Sequence, residues 1–203
     1  MKIKKSVISA LFLLYFISLT AAADFNILIS NSEKWTDVYS VVHYSNLIGV
    51  DGKFLTSTSH GQLILNEISK ANTIKVMSST DKPYMFGYQG LIESNGYETR
   101  EELESSNLNL ELIKDSELAN IKNFIVVGDS YGYNALAIAP YAKLTNAWVF
   151  FANRANIFEI DAILSGKQID NLIVYGFVDR QVTDTLSKYN PEVITTKSIC
   201  TRF

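Results

Sequence analysis

The stretch NFIVVGDSYGYNALAIAPYAKL (123–144) and the earlier stretch NILISNSEKWTDVYSVVHYSNL (26–47) overlay without a gap, 97 positions apart. Each opens on a short run of apolar residues, passes through a polar turn, and continues with apolar residues at helical spacing. A short apolar run bounded by polar residues reads as a buried strand, and a 3.6-residue spacing reads as a helix. Asn26/Asn123, Tyr44/Tyr141 and Leu47/Leu144 are identical, and Ile27/Phe124, Leu28/Ile125, Ile29/Val126, Asp37/Asn134 and Val41/Ile138 are alike in kind.

The order of elements repeats as well. In the first half, strands are predicted at 26–30, 54–55 and 73–77, with helices at 35–47, 63–68 and 87–94. In the second half, strands at 124–127, 148–151 and 172–175 alternate with helices at 134–144, 157–164 and 182–186. Alternating strands and helices build parallel sheets with helices on their faces. The expected fold is therefore α/β, with two tandem Rossmann-like modules arising by duplication over 26–97 and 121–190. Pro140 lies inside a predicted helix, where it removes a backbone donor and should kink or end a turn.

The remaining segments set the boundaries. Lys2, Lys4 and Lys5 precede an apolar run at 6–19 and the small residues Thr20, Ala21, Ala22 and Ala23. That order predicts a secretory signal peptide at 1–23, cut before Asp24; the apolar run is short for a spanning helix. Residues 24–98 form the expected first module, 99–120 an acidic helical connector carrying Glu101, Glu102, Glu104, Glu111, Asp115 and Glu117, and 121–203 the second module.

Composition narrows the function. Apolar residues make up 47% of the 203, enough for a real core. The net charge is −3; removing the three leader lysines, with no acid lost, makes it −6. Bulk-charge binding to nucleic acid is thereby disfavoured, and an anionic partner must meet a local cation. The single Cys200 excludes an internal disulfide framework and leaves a buried thiol or a link to another chain. Aromatics are plentiful, and Trp35, Tyr131 and Tyr133 fall at strand-to-helix turns, where open α/β sheets bind ligands. Rings there either pack or stack on sugars.

The run at 126–144 resembles the signature of the cell wall binding repeat 2 family: strand, Gly, aromatic, Asp-Ala-Leu, small residues, Pro, Ala. Gly128, Tyr131 or Tyr133, Asn134, Ala135, Leu136, Pro140 and Ala142 match it, with Asn134 in place of Asp and one extra residue before it. The stretch LIVYGFVDRQVTDTL (172–186) is similar to the family's strand, Gly-Gly turn and Val-Ser-Asp helix start, through Gly176, Val182, Thr183 and Asp184; Phe177 replaces the second Gly. WVFFA (148–152) stands at the family's Pro-Ile-Leu-Leu strand, with Trp148 for Pro. The first half matches more loosely, through Trp35 and Asp37.

The resemblance implies exported proteins of bacteria and archaea, usually with three such modules around a pseudo-threefold axis, held noncovalently on an anionic cell-surface polymer. It thus implies a cell-surface, cell-wall or S-layer location, with an envelope glycan or polymer as partner. Self-association or a further module would complete the set, and 201–203 looks like the start of one. The loops after the second strand of each module are the expected polymer contacts, which nominates Lys53, Trp148 and Arg154. No cofactor or metal is implied.

Other chemical readings compete. Gly128-Asp129-Ser130 after a strand also resembles the nucleophile block of GDSL-type esterases, but the Asp-x-x-His those enzymes carry downstream is absent, since His43 and His60 both precede Ser130. Gly128 and Gly132 do not complete a dinucleotide fingerprint, and two histidines 17 residues apart make a poor metal pair. A protein-interaction module, joining other chains through sheet edges or module faces, is the remaining alternative.

Overall fold

The computed structural model describes residues 23–195; the leader expected at 1–23, all but Ala23, and the segment containing Cys200 lie outside them. The first half runs β1 (Ile27–Asn31), α1 (Trp35–Ile48), β2 (Asp51–Phe54), α2 (His60–Glu67), β3 (Thr73–Ser79) and α3 (Tyr88–Ser94). Two short strands, β4 (Glu98–Thr99) and β5 (Leu103–Ser105), and a short helix α4 (Leu108–Leu112) follow. The second half runs β6 (Asn123–Gly128), α5 (Tyr133–Leu144), β7 (Ala147–Ala152), α6 (Ile157–Ser165), β8 (Asn171–Tyr175), α7 (Arg180–Leu186) and β9 (Glu192–Ile194).

Both sheets are wholly parallel and have the same order. The first is β2-β1-β3-β4 with β5 also on β3; the second is β7-β6-β8-β9. The duplication extends to register. Ile27 faces Asp51 across β1 and β2, and Phe124 faces Trp148 across β6 and β7, so both partners keep the 97-residue offset. On the other side Ile27 faces Ile74 and Phe124 faces Leu172, one residue further on. The protein is therefore α/β with two parallel, helix-flanked sheets, as the alternating pattern predicts. Strands covered on both faces carry continuous apolar runs, and all six residues of β7 are buried.

The stretch expected to be a helical acidic connector is different. The boundary at 98 falls inside β4, and β4 and β5 extend the first sheet alongside β3. Of its acids, Glu104 sits on the edge strand β5, where charge discourages further strand pairing, while Glu111 lies on α4. Its apolar residues turn inward: Leu108, Leu110, Leu112, Ile113, Leu118 and Ile121 are buried in a core shared with Leu28 and Tyr44 of the first sheet's layer and with Trp148 and Phe150 of the second's. Burying each such side chain contributes about 1.5–3 kcal/mol, so the segment joins the halves into one core instead of spacing them.

The first half covers the edge of the second sheet. His43 on α1 donates from Nε2 to the Ala147 carbonyl at 2.7 Å. Asn109 on α4 donates to the Val149 carbonyl at 2.8 Å and accepts the Phe151 N–H at 3.4 Å. Three outward groups of edge strand β7 are thus satisfied by side chains, and Trp35 and Tyr39 pack edge-on to the Phe151 ring at 4.9 and 5.2 Å. Burial, with the Lys143 charge, holds the His43 pKa below its usual value against the opposing effect of this bond, since desolvation disfavours the imidazolium. Helix α5 continues through Pro140 to Leu144. Pro140 and Leu136, the residue whose carbonyl loses its partner, are both on the exposed side, where water can serve that carbonyl.

Candidate functional site

In parallel sheets the loops at the carboxyl ends of the strands build the binding sites. In the second half these loops follow β6, β7 and β8 and enclose a cleft of about 440 Å³. Its walls carry Asp129, Ser130, Asn153, Arg154, Phe177 and Asp179. Gly128 forms the floor: a Cβ there would come within 2.9 Å of the Phe177 carbonyl, so only glycine lets the two loops approach. Gly176 takes φ +79°, and a Cβ on it would collide with the Asn134 amide.

The polar groups are held before any ligand arrives. Asn153 donates to Asp129 Oδ2 at 2.5 Å and accepts the backbone N–H of Ala155 and Asn156 at 2.7 and 3.0 Å. Asp179 caps α7 by accepting the Gln181 N–H at 2.9 Å, and its other oxygen takes Arg154 Nε at 2.7 Å. The capping N–H, then the guanidinium, hold the Asp179 pKa below the usual carboxylate value. Arg154 is aimed by this contact while 76% of its side chain stays exposed. Phe177 is 89% exposed, and Tyr131 and Tyr133, at 73% and 81%, stand in and just after the turn that follows β6. Such rings offer flat faces for sugar rings, with amide, carboxylate and guanidinium groups for hydroxyls.

At the equivalent end of the first sheet the polar groups bond to one another. Asn31 at the end of β1 donates to Ser78 Oγ at 2.9 Å and to the Met85 carbonyl at 2.7 Å, and accepts the Met85 N–H at 3.0 Å. Ser78 in turn donates to Glu102. Ser32 donates to Asp37 Oδ2 at 2.8 Å, and Lys34 ties Asp81 and the Ser106 carbonyl over the same end at 2.8 and 2.9 Å. Burial raises the Asp37 pKa above its ordinary value, against the Ser32 bond and the Lys34 charge.

Of the nominated contacts, Arg154 lies in the open cleft. Trp148 does not: it is fully buried in the middle of the fold, with its ring 5.7 Å from His43, and cannot touch a polymer. Its position at the head of an exposed-looking apolar strand is misleading because α1 and α4 cover β7. Lys53 belongs to β2 in the other half, pairs with Asp51 at 3.1 Å and is outside the cleft. The polymer-facing candidates thus lie apart. The sequence alone does not single out Asp179 and Asn153, and Phe177 and Asp129 enter there only as parts of motifs, not as polymer contacts. Phe177 carried a signal, as an aromatic standing in a glycine turn at a strand's end.

Ser130 is exposed at the cleft. His43 is engaged at the Ala147 carbonyl, and His60, which begins α2 and is not in a loop, accepts the Thr56 N–H on Nδ1 at 3.3 Å. Among the described residues no cluster of three or more His, Cys, Asp or Glu forms a metal-like group, and no helix is long and apolar enough to cross a membrane.

A second depression, apolar and about 580 Å³, lies between α1 and α5 beside Phe54 and reaches the loops at the carboxyl ends of β1, β2 and β3 through Ser32, Leu55, Thr56 and Tyr84. Compared with known proteins, the chain matches no family model, no curated protein and no solved structure.

Proposed function

We propose that the chain is an exported, non-enzymatic cell-envelope protein that attaches noncovalently to a cell-surface polymer, gripping its sugar units in the cleft at the carboxyl ends of β6, β7 and β8. The observation that carries this reading is the pairing, in one open cleft, of an aimed cation with an exposed ring, Arg154 and Phe177. Arg154 meets an anionic substituent, Asp129 and Asn153 meet hydroxyls, and Phe177 stacks on a sugar face. Asp129 and Asp179 offset the arginine charge, which favours a hydroxyl-rich glycan with sparse anionic groups over a densely charged chain. The likeness of 126–144 and 172–186 to the cell wall binding repeat family supports an envelope partner. The engagement of both histidines away from Ser130 supports binding over hydrolysis.

The test is a sedimentation pull-down of residues 24–203 on isolated envelope at low and high salt. Phe177→Ala and Arg154→Ala should each weaken binding about tenfold, which corresponds to ~1.4 kcal/mol, while Lys53→Ala leaves it unchanged. High salt should weaken the wild type and not Arg154→Ala. Retention that ignores both cleft substitutions would refute the reading. So would ester turnover abolished by Ser130→Ala.

A further inference from the structure

The contact that joins the two halves is offered a second time on the same chain and is not taken up among the described residues. Inside the chain, the α1 face bearing Trp35, Tyr39 and His43 covers the open edge of β7. The 97-residue offset maps that face onto Gly132, Leu136 and Pro140 of α5, and maps β7 onto β2. Beyond Gly132, which lies against the Trp35 ring, the mapped helix face is bare and apolar: Leu136 is 70% exposed and Leu144, at the end of the same stripe, 86%. The mapped edge is bare too. Phe54 is 43% exposed, whereas its counterpart Phe151 is 3% exposed under Trp35 and Tyr39.

The depression of about 580 Å³ follows the same symmetry. It is lined from both helices by position-equivalent residues, Val38 with Ala135, Tyr39 with Leu136 and Val42 with Ala139, and ends at Phe54. A helix-on-edge contact uses two different surfaces, so one copy of the chain has one of each to spare. A strand is a poor cover for β2, which is four residues long and carries Asp51 and Lys53. A helix face is the cover that β7 already uses.

We infer that this surface is a self-association site, in which α5 of one copy lies on β2 of a second copy and the contact is returned. A second copy is the partner for which this chain itself supplies both matching surfaces. The dimer buries Leu136 and Phe54 and presents two glycan clefts, which raises avidity for a repeating polymer; the association itself does not depend on the glycan reading.

The experiment is sedimentation equilibrium on residues 24–203 under reducing conditions, so that Cys200 cannot link chains, with hydrogen exchange read at β2. A reversible dimer is expected, with β2 amides more protected as concentration rises. Leu136→Glu should weaken it at least tenfold. Ala137→Arg, at an exposed position on the same helix, should do the same and guards against misfolding of the first variant. Phe177→Ala should leave it intact. A monomer at every concentration overturns the inference, whether β2 is unprotected or is protected by another segment of the chain. A dimer that ignores both helix substitutions also overturns it.

Discussion

The two sheets share order and register, yet their carboxyl ends have opposite fates. At the first, Asn31, Ser78 and the Met85 backbone bond to one another and Lys34 ties the surrounding loops down. At the second, Asn153 and Asp179 hold the loops open, leaving Arg154 and Phe177 facing solvent. The repeated architecture supplies two comparable ends; internal polar bonds turn one to structure and leave the polar groups of the other open to solvent. Polar groups do both jobs, and the difference lies in whether their partners are all internal.

The largest expected effect sharpens the boundary between packing and binding. Trp148→Ala should cost about 3–5 kcal/mol of stability, as truncating a fully buried ring in a core does, read by urea unfolding. A loss under 1 kcal/mol would mean that Trp148 is not the core residue described. Asn31→Ala should cost about 1–3 kcal/mol, because it strands both Met85 backbone groups and removes the donor to Ser78. Phe177→Ala should change stability by no more than about 0.5 kcal/mol while weakening glycan binding. If Asn31→Ala weakened binding and Phe177→Ala weakened folding, the assignment of the two ends would be reversed.

The smallest effects are in the pH dependence of the first half. His43 has a lowered folded-state pKa, so the unfolded chain takes up that proton first. Its contribution is present above the unfolded pKa, near 6.5, and is lost as pH falls below it. Asp37 has a raised folded-state pKa, so its carboxylate opposes folding at neutral pH and the penalty is relieved as pH falls toward the unfolded value near 3.8. His43→Gln should therefore flatten the stability profile between about pH 5 and 7. Asp37→Asn, which copies Asn134 of the second half, should be neutral or stabilising at pH 7, with its advantage shrinking in acid. A profile unchanged by His43→Gln would contradict the buried neutral imidazole.

Much of this architecture was legible in the residues. The strands at 27–31 and 123–128 show themselves by unbroken apolar runs, and the helices by spacing, because both depend on local pattern. The strand Leu103–Ser105 did not, since it is three residues long and owes its existence to pairing with β3. The burial of Trp148 was hidden for a related reason: its cover comes from His43 and from α4, far away in the chain. The cleft draws on 128–130, 152–155 and 177–179, three loops united only by the sheet. Arg154 was found through its loop, but its neighbours Asp179 and Phe177 became visible as a group only in the fold.

The proposed envelope-sugar site is the open end of the second sheet, not the internally bonded end of the first. Amide chemical-shift mapping of residues 24–203 titrated with solubilised envelope saccharide tests this directly. Perturbations are expected at 128–131, 153–155 and 176–179, abolished in Phe177→Ala, with 31–32 and 78–85 unmoved. Perturbations concentrated at 31–32 and 78–85, or none at the second sheet under saturating saccharide, would contradict it.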